Sequence, residues 1–292
     1  MINIAIINDE FKKKKFVTDL VKFILVLFTM NESDSYILVT GAGSGIGKEI
    51  ALLLGKQYKV ICISKSSKCE KTADLIGDNA TSLIVDFNNL EKSADTLKNF
   101  IEKNKISISA LVHCAGIIGE KGPLEETTIG SWNNAFNVNF FSSVMLAQLI
   151  IPVFKKQKFG KLIYFSGGGG AYGYSVLPQY SASKTALIRF VENLEMELTD
   201  FYNIESVIIA PGAVKTEMFN QVLEKEKEYG RTSELRTFTK IIEITSFIEY
   251  LIKNNFKMIS GRLVHIRDNW KEILDENIIL DDSFWKLKRV EE

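Results

Sequence analysis

Five residues that favour a buried strand, Tyr36-Ile37-Leu38-Val39-Thr40, run directly into Gly41-Ala42-Gly43-Ser44-Gly45-Ile46-Gly47, and a helical pattern follows from Lys48 to Leu54. A strand that turns through glycines into a helix leaves backbone N–H groups free at the positive helix end, where a dinucleotide pyrophosphate can rest. Glycines are needed there because side chains would hold phosphates away from the backbone. The spacing Gly-x-x-x-Gly-x-Gly departs from the Gly-x-Gly-x-x-Gly fingerprint. A Walker A loop is excluded: Glu49 follows Lys48 where that loop needs Ser or Thr for magnesium, and Ala42 stands at its first glycine.

The pattern continues along the chain. Apolar strand-like runs recur at residues 58–64, 81–87, 109–113, 160–166, 204–210 and 261–266. Helical patterns lie between them, clearest at Ala182, Ala186, Leu187, Phe190, Val191, Leu194 and Leu198, which recur in steps of three and four. Near-continuous apolar strands alternating with helices predict an α/β fold, a doubly wound parallel sheet of Rossmann type covered on both faces. No repeat, low-complexity tract or linker divides residues 36–292, which read as a single domain with a small substrate lid and a charged tail.

The chain's 36 basic and 36 acidic residues cancel and are interspersed, so a nucleic-acid partner has no electrostatic support. Cys62, Cys69 and Cys114 are widely spaced and odd in number, which argues against disulfides or zinc and for a reducing cytoplasm. His113 and His265 are the only histidines and both sit in strand-like runs, so no metal site is expected. Residues 1–35 stand apart, with a basic run at Lys12-Lys13-Lys14-Lys15 and an apolar stretch over 16–30 interrupted by Asp19 and Lys22. No small-residue cleavage site follows it, and the uninterrupted apolar run is short for a bilayer. Three readings stay open: a surface amphipathic helix, a membrane contact through residues 16–30, or a dispensable extension upstream of Met30.

Tyr180-Ser181-Ala182-Ser183-Lys184 places a phenol and an ammonium four residues apart, on one helix face. A phenol with a pKa near ~10 is a weak acid or base at neutral pH, and a nearby cation favours the phenolate. Tyr180 is therefore a candidate proton donor and acceptor, with Lys184 expected to hold its pKa down.

Taken in order, Thr40 to Gly47, Asp86, Cys114-Ala115-Gly116, Asn139 in Asn-Val-Asn, Ser166, the Tyr180/Lys184 pair and Pro211-Gly212 through Thr216 resemble the short-chain dehydrogenase/reductase family over most of residues 36–270. The branch it resembles carries a Ser-Gly-Gly-Gly segment before Tyr-x-x-x-Lys. The resemblance implies a bound nicotinamide exchanging a hydride with a small-molecule carbonyl or alcohol. Tyr180 would carry the proton, Lys184 would bind the nicotinamide ribose, and Asn139 would anchor a water relaying protons to Lys184. Gly41, Ser44, Gly45, Ile46 and Gly47 would line the cofactor, Asp86 would meet the adenine, and Ala115 and Gly116 would pack along the adenosine. Pro211, Val214 and Thr216 would face the nicotinamide or the pyrophosphate. The family also implies a homodimer or homotetramer through helices near 130–155 and 180–198.

Three departures qualify the match. The substrate-orienting serine normally stands thirteen positions before the tyrosine, where this chain has Gly167; Ser166 is taken for the role, with Ser175 or backbone N–H groups as alternatives. His113-Cys114 stands where two asparagines are usual, and Arg267-Asp268-Asn269-Trp270 replaces a terminal glycine pair. The second strand ends Ile63-Ser64-Lys65, with no acid to repel a 2′-phosphate and a cation to attract one, so NADP(H) is expected ahead of NAD(H). Specificity is expected from residues 167–179 and a lid from Glu217 to about Arg236. Other readings stay open: an epimerase or dehydratase that retains its nucleotide, or a catalytically silent cofactor-sensing protein.

Overall fold

The computed structural model describes residues 35–174, 176–229 and 237–288. The expectations placed on residues 1–34, on Ser175 and on the end of the lid over 230–236 lie outside the described residues. Tyr36–Glu292 forms one unit.

Seven strands, β1 (Tyr36–Thr40), β2 (Lys59–Ser64), β3 (Ala80–Ile84), β4 (Ile108–His113), β5 (Gly160–Phe165), β6 (Ile204–Ala210) and β7 (Leu263–His265), build one sheet in the order β3-β2-β1-β4-β5-β6-β7. Every pairing is parallel. Strand alternation sends Ile37 and Val39 into the core on one side and Leu38 into the core on the other, so both faces need helical cover. Helices α1 (Gly45–Leu54) and α9 (Ile241–Lys253) cover one face, and α3 (Leu90–Lys103), α5 (Ser142–Gln157) and α7 (Pro178–Tyr202) the other. The remaining helices are α2 (Lys68–Ile76), α4 (Ile129–Phe136), α6 (Gly168–Ala171), α8 (Glu217–Glu228) and α10 (Trp270–Asp275).

Ile129–Gln157 is the one helical run among the described residues long and apolar enough to cross a membrane, at a mean hydropathy of 1.5. Its apolarity serves the core, since Met145, Leu146, Ile150 and Phe154 are buried against the sheet. The helix α7 starts at Pro178, whose missing N–H costs nothing at a first turn, and stops at Asn203 in the left-handed region.

Two strands end earlier than their apolar runs. β3 stops at Ile84 because Asp86 turns the chain, its Oδ1 accepting the Asn88 N–H (3.1 Å), after which the Asn89 side chain caps α3. β7 is confined to three residues between Gly261 (φ 69°) and the turn in which Asp268 Oδ2 accepts the His265 N–H (2.7 Å). The order of strands reverses between β1 and β4, which opens a crevice at their carboxyl ends.

Candidate active site

Thr40 and His113 end β1 and β4 side by side at that crevice. The Thr40 hydroxyl accepts the Ala115 N–H (3.1 Å) and is left to donate to His113 Nδ1 (2.7 Å). The ring proton is thereby assigned to Nε2, which donates to Ser142 Oγ (2.9 Å), and Ser142 donates onward to the Val138 carbonyl (2.7 Å). Burial pushes the imidazole pKa down to about 3, with the Lys184 charge adding to the shift. His113 therefore stays neutral and ties β1, β4 and α5 together, the work expected of an asparagine at this position.

The glycine turn is packed for close approach. Gly41 has φ 68°, and a Cβ on it would lie 3.0 Å from the backbone of Cys114 and Ala115; one on Gly47 would lie 2.6 Å from the Gly41 carbonyl oxygen. Ser44, extended at φ −163°, gives α1 no side-chain cap, so the first-turn N–H groups are available to a phosphate. Gly45 faces Thr216, whose Cγ2 would be 3.6 Å from an added Cβ, so the glycine turn and the segment after β6 adjoin. Ile46, Gly116, Pro211, Val214 and Thr216 line one cavity of about 550 Å³ with Tyr180 and Lys184. These residues fit a dinucleotide. Ala115 packs against the core beside them.

At the other end of the crevice, Lys65 is exposed after β2, and the Ser64 hydroxyl is spent on the Ser66 carbonyl (2.6 Å). Lys68, which the sequence reading passed over, opens α2 with its Cβ 2.8 Å from where a Gly43 Cβ would be. Its signal was only a second cation three residues after the first. Asp86 is exposed, with one carboxylate oxygen used in its own turn.

Within the cavity, Lys184 is buried and its Nζ donates to the Phe165 carbonyl (2.7 Å). Burial lowers its pKa to about 8. The ammonium lies 5.9 Å from the Tyr180 ring centroid. The phenol behaves differently from the sequence expectation: burial raises its pKa to about 12 instead of Lys184 lowering it. The physical reason is that Lys184 is itself desolvated and committed to a carbonyl, so the cost of placing a phenolate in this pocket dominates.

Asn139 lies in a π-helical turn, Asn137–Phe141, and is fully buried. Its Oδ1 accepts the Ile117 N–H (2.8 Å), and its Nδ2 donates to the Ile117 carbonyl (2.9 Å) and to Ser183 Oγ (2.9 Å). Ser183 donates in turn to the Tyr180 carbonyl (2.8 Å). The amide is thus spent on fixing the strand β4 exit and the tyrosine helix, and a water held by Asn139 would have to use its backbone.

Ser166 is the site residue that the structure does not bring to the phenol. Gly167 is extended (φ −165°, ψ 174°), so neighbouring side-chain directions alternate. A Cβ on Gly167 would lie 2.5 Å from Tyr180 Oη, whereas Ser166 Oγ faces Gly170, 2.4 Å from where a Cβ there would be. The serine forms part of the cavity wall but turns its hydroxyl away from the tyrosine. His265 and Arg267 also line the cavity, although in sequence they read only as a strand end and an unusual terminus. No cluster of metal-ligating side chains occurs among the described residues.

Fold and site together define a Rossmann-type nucleotide-binding domain with a tyrosine–lysine pair at its switch point. Residues 35–227 match the family model described as short chain dehydrogenase, and the chain belongs to that family of NAD(P)-dependent oxidoreductases. It is 29% identical over 241 residues to a 3-oxoacyl-[acyl-carrier-protein] reductase FabG of Buchnera aphidicola, covering 81% of this chain and 97% of that one. The oxidoreductase YciK of E. coli superposes with a TM-score of 0.70 at 24% identity, over 81% of this chain and 96% of its own. The solved structure of ElxO with NADP bound gives 0.68 at 23% identity, over 80% and 97%.

Proposed function

We propose that this protein is an NADP(H)-preferring carbonyl reductase or alcohol dehydrogenase in which Tyr180 is the general acid and base. The observation that carries the proposal is the shared cavity: the phenol, the Lys184 ammonium and the glycine-bounded crevice open onto one space. When bound, the nicotinamide supplies or accepts the hydride at the substrate carbon. In the reductive direction, Tyr180 Oη gives its proton to the carbonyl oxygen as the C=O bond becomes C–H and O–H; oxidation returns the proton to Tyr180. A phenol held protonated by burial favours the donating role at neutral pH. Lys184 would hold the nicotinamide ribose and return a proton to the phenol. Gly116 lies beside Asn139 and Lys184, whose Oδ1 and Nζ would be 3.3 and 3.6 Å from an added Cβ, so it leaves no side chain in the way of the ribose that Lys184 would hold.

Lys65 and Lys68 favour a 2′-phosphate, and Asp86 is left for the adenine; the related fold of ElxO holds NADP. The substrate is a small molecule. Residues 1–35 are proposed as dispensable to this activity, the compartment as cytoplasmic, and the assembly as a homo-oligomer through α5 and α7.

A fluorescence titration with NADPH and NADH in parallel tests the cofactor reading, with NADPH binding more tightly. Tyr180→Phe tests the chemistry: a kcat loss of about 10²–10⁴-fold with NADPH affinity retained is expected. Unchanged turnover would remove Tyr180 from the reaction.

A further inference from the structure

The active-site cavity also reaches beyond Gly212, to the end of β7. His265 lies there with Nε2 3.3 Å from where a Gly212 Cβ would be, and Gly212 itself has φ 72°. The Arg267 N–H donates to His265 Nδ1 (3.1 Å), which leaves the proton of the neutral ring on Nε2. Arg267 Nη2 donates to the Thr237 carbonyl (2.6 Å) and, more weakly, to Thr239 Oγ1 (3.5 Å). A guanidinium has five N–H donors in a planar fork, so most remain for another acceptor. Arg267 makes no ion pair among the described residues.

The charge in this cavity is one-sided. Lys184, His265 and Arg267 line it, and no Asp or Glu among the described residues does. Carboxylates around it have partners of their own: Asp268 accepts the His265 N–H (2.7 Å), Glu226 accepts the Tyr174 hydroxyl, and Glu243, which shares an outer groove with Arg267, accepts the Lys240 N–H (2.9 Å). Much of the remaining wall is apolar, with Ile118, Leu177, Met218, Phe219 and Val222.

We propose that Arg267 and the Nε2–H of His265 form a subsite for a carboxylate carried by the substrate, making the preferred substrate an apolar aldehyde or ketone with an acidic end. The assignment rests on the reductase reading for which end reacts. A planar carboxylate suits the guanidinium fork; Arg267 is exposed, so recognition rests on paired N–H···O bonds more than on charge attraction in a dry cavity. The cofactor's own phosphates are the other source of negative charge, but the glycine turn and Thr216 already provide for them.

The test uses 4-carboxybenzaldehyde and its methyl ester, matched in shape and reacting group. Dissociation constants for the NADP-saturated protein, NADPH affinity and kcat/KM with NADPH are measured for the wild type, Arg267→Ala and His265→Phe, with the thermal melting temperature as the control for folding. The expected result is tenfold or greater preference for the carboxylate in the wild type, falling to about one in Arg267→Ala and declining in His265→Phe. Equal affinity for acid and ester in the wild type would overturn the subsite, as would a preference that survives both substitutions. A tenfold loss of NADPH affinity in Arg267→Ala would reassign the guanidinium to the cofactor and overturn it too. Acid-selective binding without turnover keeps the subsite and refutes the redox reading alone.

Discussion

Gly167 and Tyr180 occupy one another's space, and this sets what the site tolerates. Restoring the usual serine by Gly167→Ser puts a Cβ 2.5 Å from the phenolic oxygen, so the tyrosine must move. We expect kcat to fall at least tenfold, in line with the sensitivity of catalysis to displacements of about 1 Å; a rise in kcat would show that the ring yields without cost. His113 gives a second outcome at this scale. Its folded pKa of about 3 lies below the ordinary 6.5, so the unfolded chain takes up the proton first as pH falls. Its contribution is complete above pH 6.5 and declines toward about 3, a loss of roughly 2–3 kcal/mol by pH 4.5. Denaturant unfolding at pH 7 and 4.5 should show this difference, and His113→Asn should reduce it. The residue types at the site were legible in the sequence, but directions were not. That Gly167 held the serine's position could be counted along the chain; that Ser166 faces Gly170 follows only once the backbone there is known to be extended.

Between β4 and α7, the π-helical turn acts through one amide. Asn139 satisfies both backbone groups of Ile117 and holds Ser183, so Asn139→Ala would leave those two half-buried backbone groups unpaired and strip the Ser183 hydroxyl of one of its two bonds. A stability loss of about 2–4 kcal/mol is expected from chemical denaturation, with kcat reduced because the tyrosine helix loses its tether. Stability within 0.5 kcal/mol or so of the wild type would mean that water replaces the amide freely. The strands were readable because buried parallel strands are continuous apolar runs, which also explains why their ends were not. Val85 still pairs with β2 through its N–H (2.9 Å to the Ser64 carbonyl) and Phe87 is buried, so apolarity outlasts β3 itself. A π-turn, which depends on a tertiary contact of Asn139, leaves no period in the sequence.

The tail after α10 read only as charged, yet it returns to the sheet. Arg262 Nη1 donates to the Asp281 and Phe284 carbonyls (2.9 and 2.5 Å), and the Leu263 N–H donates to the Trp285 carbonyl (2.8 Å). Deleting residues 277–292 would expose β7 and leave the buried Arg262 without these acceptors. Such a variant should lose thermal stability and aggregate faster in light scattering, while a deletion that melts like the full chain would assign the tail no structural part. This return left no mark in the residue pattern of the tail, because what the tail contributes is backbone carbonyls, which any residue supplies. The same contacts fix which way copies can join. Leu263 and His265, the first and last residues of β7, both have their N–H groups occupied from within the chain, so that margin offers no template, whereas β3 pairs only with β2 among the described residues. Head-to-tail growth needs two unlike free margins. With one already sealed, sheet-to-sheet joining is limited to a closed twofold pair, and an endless fibre is denied a second attachment point.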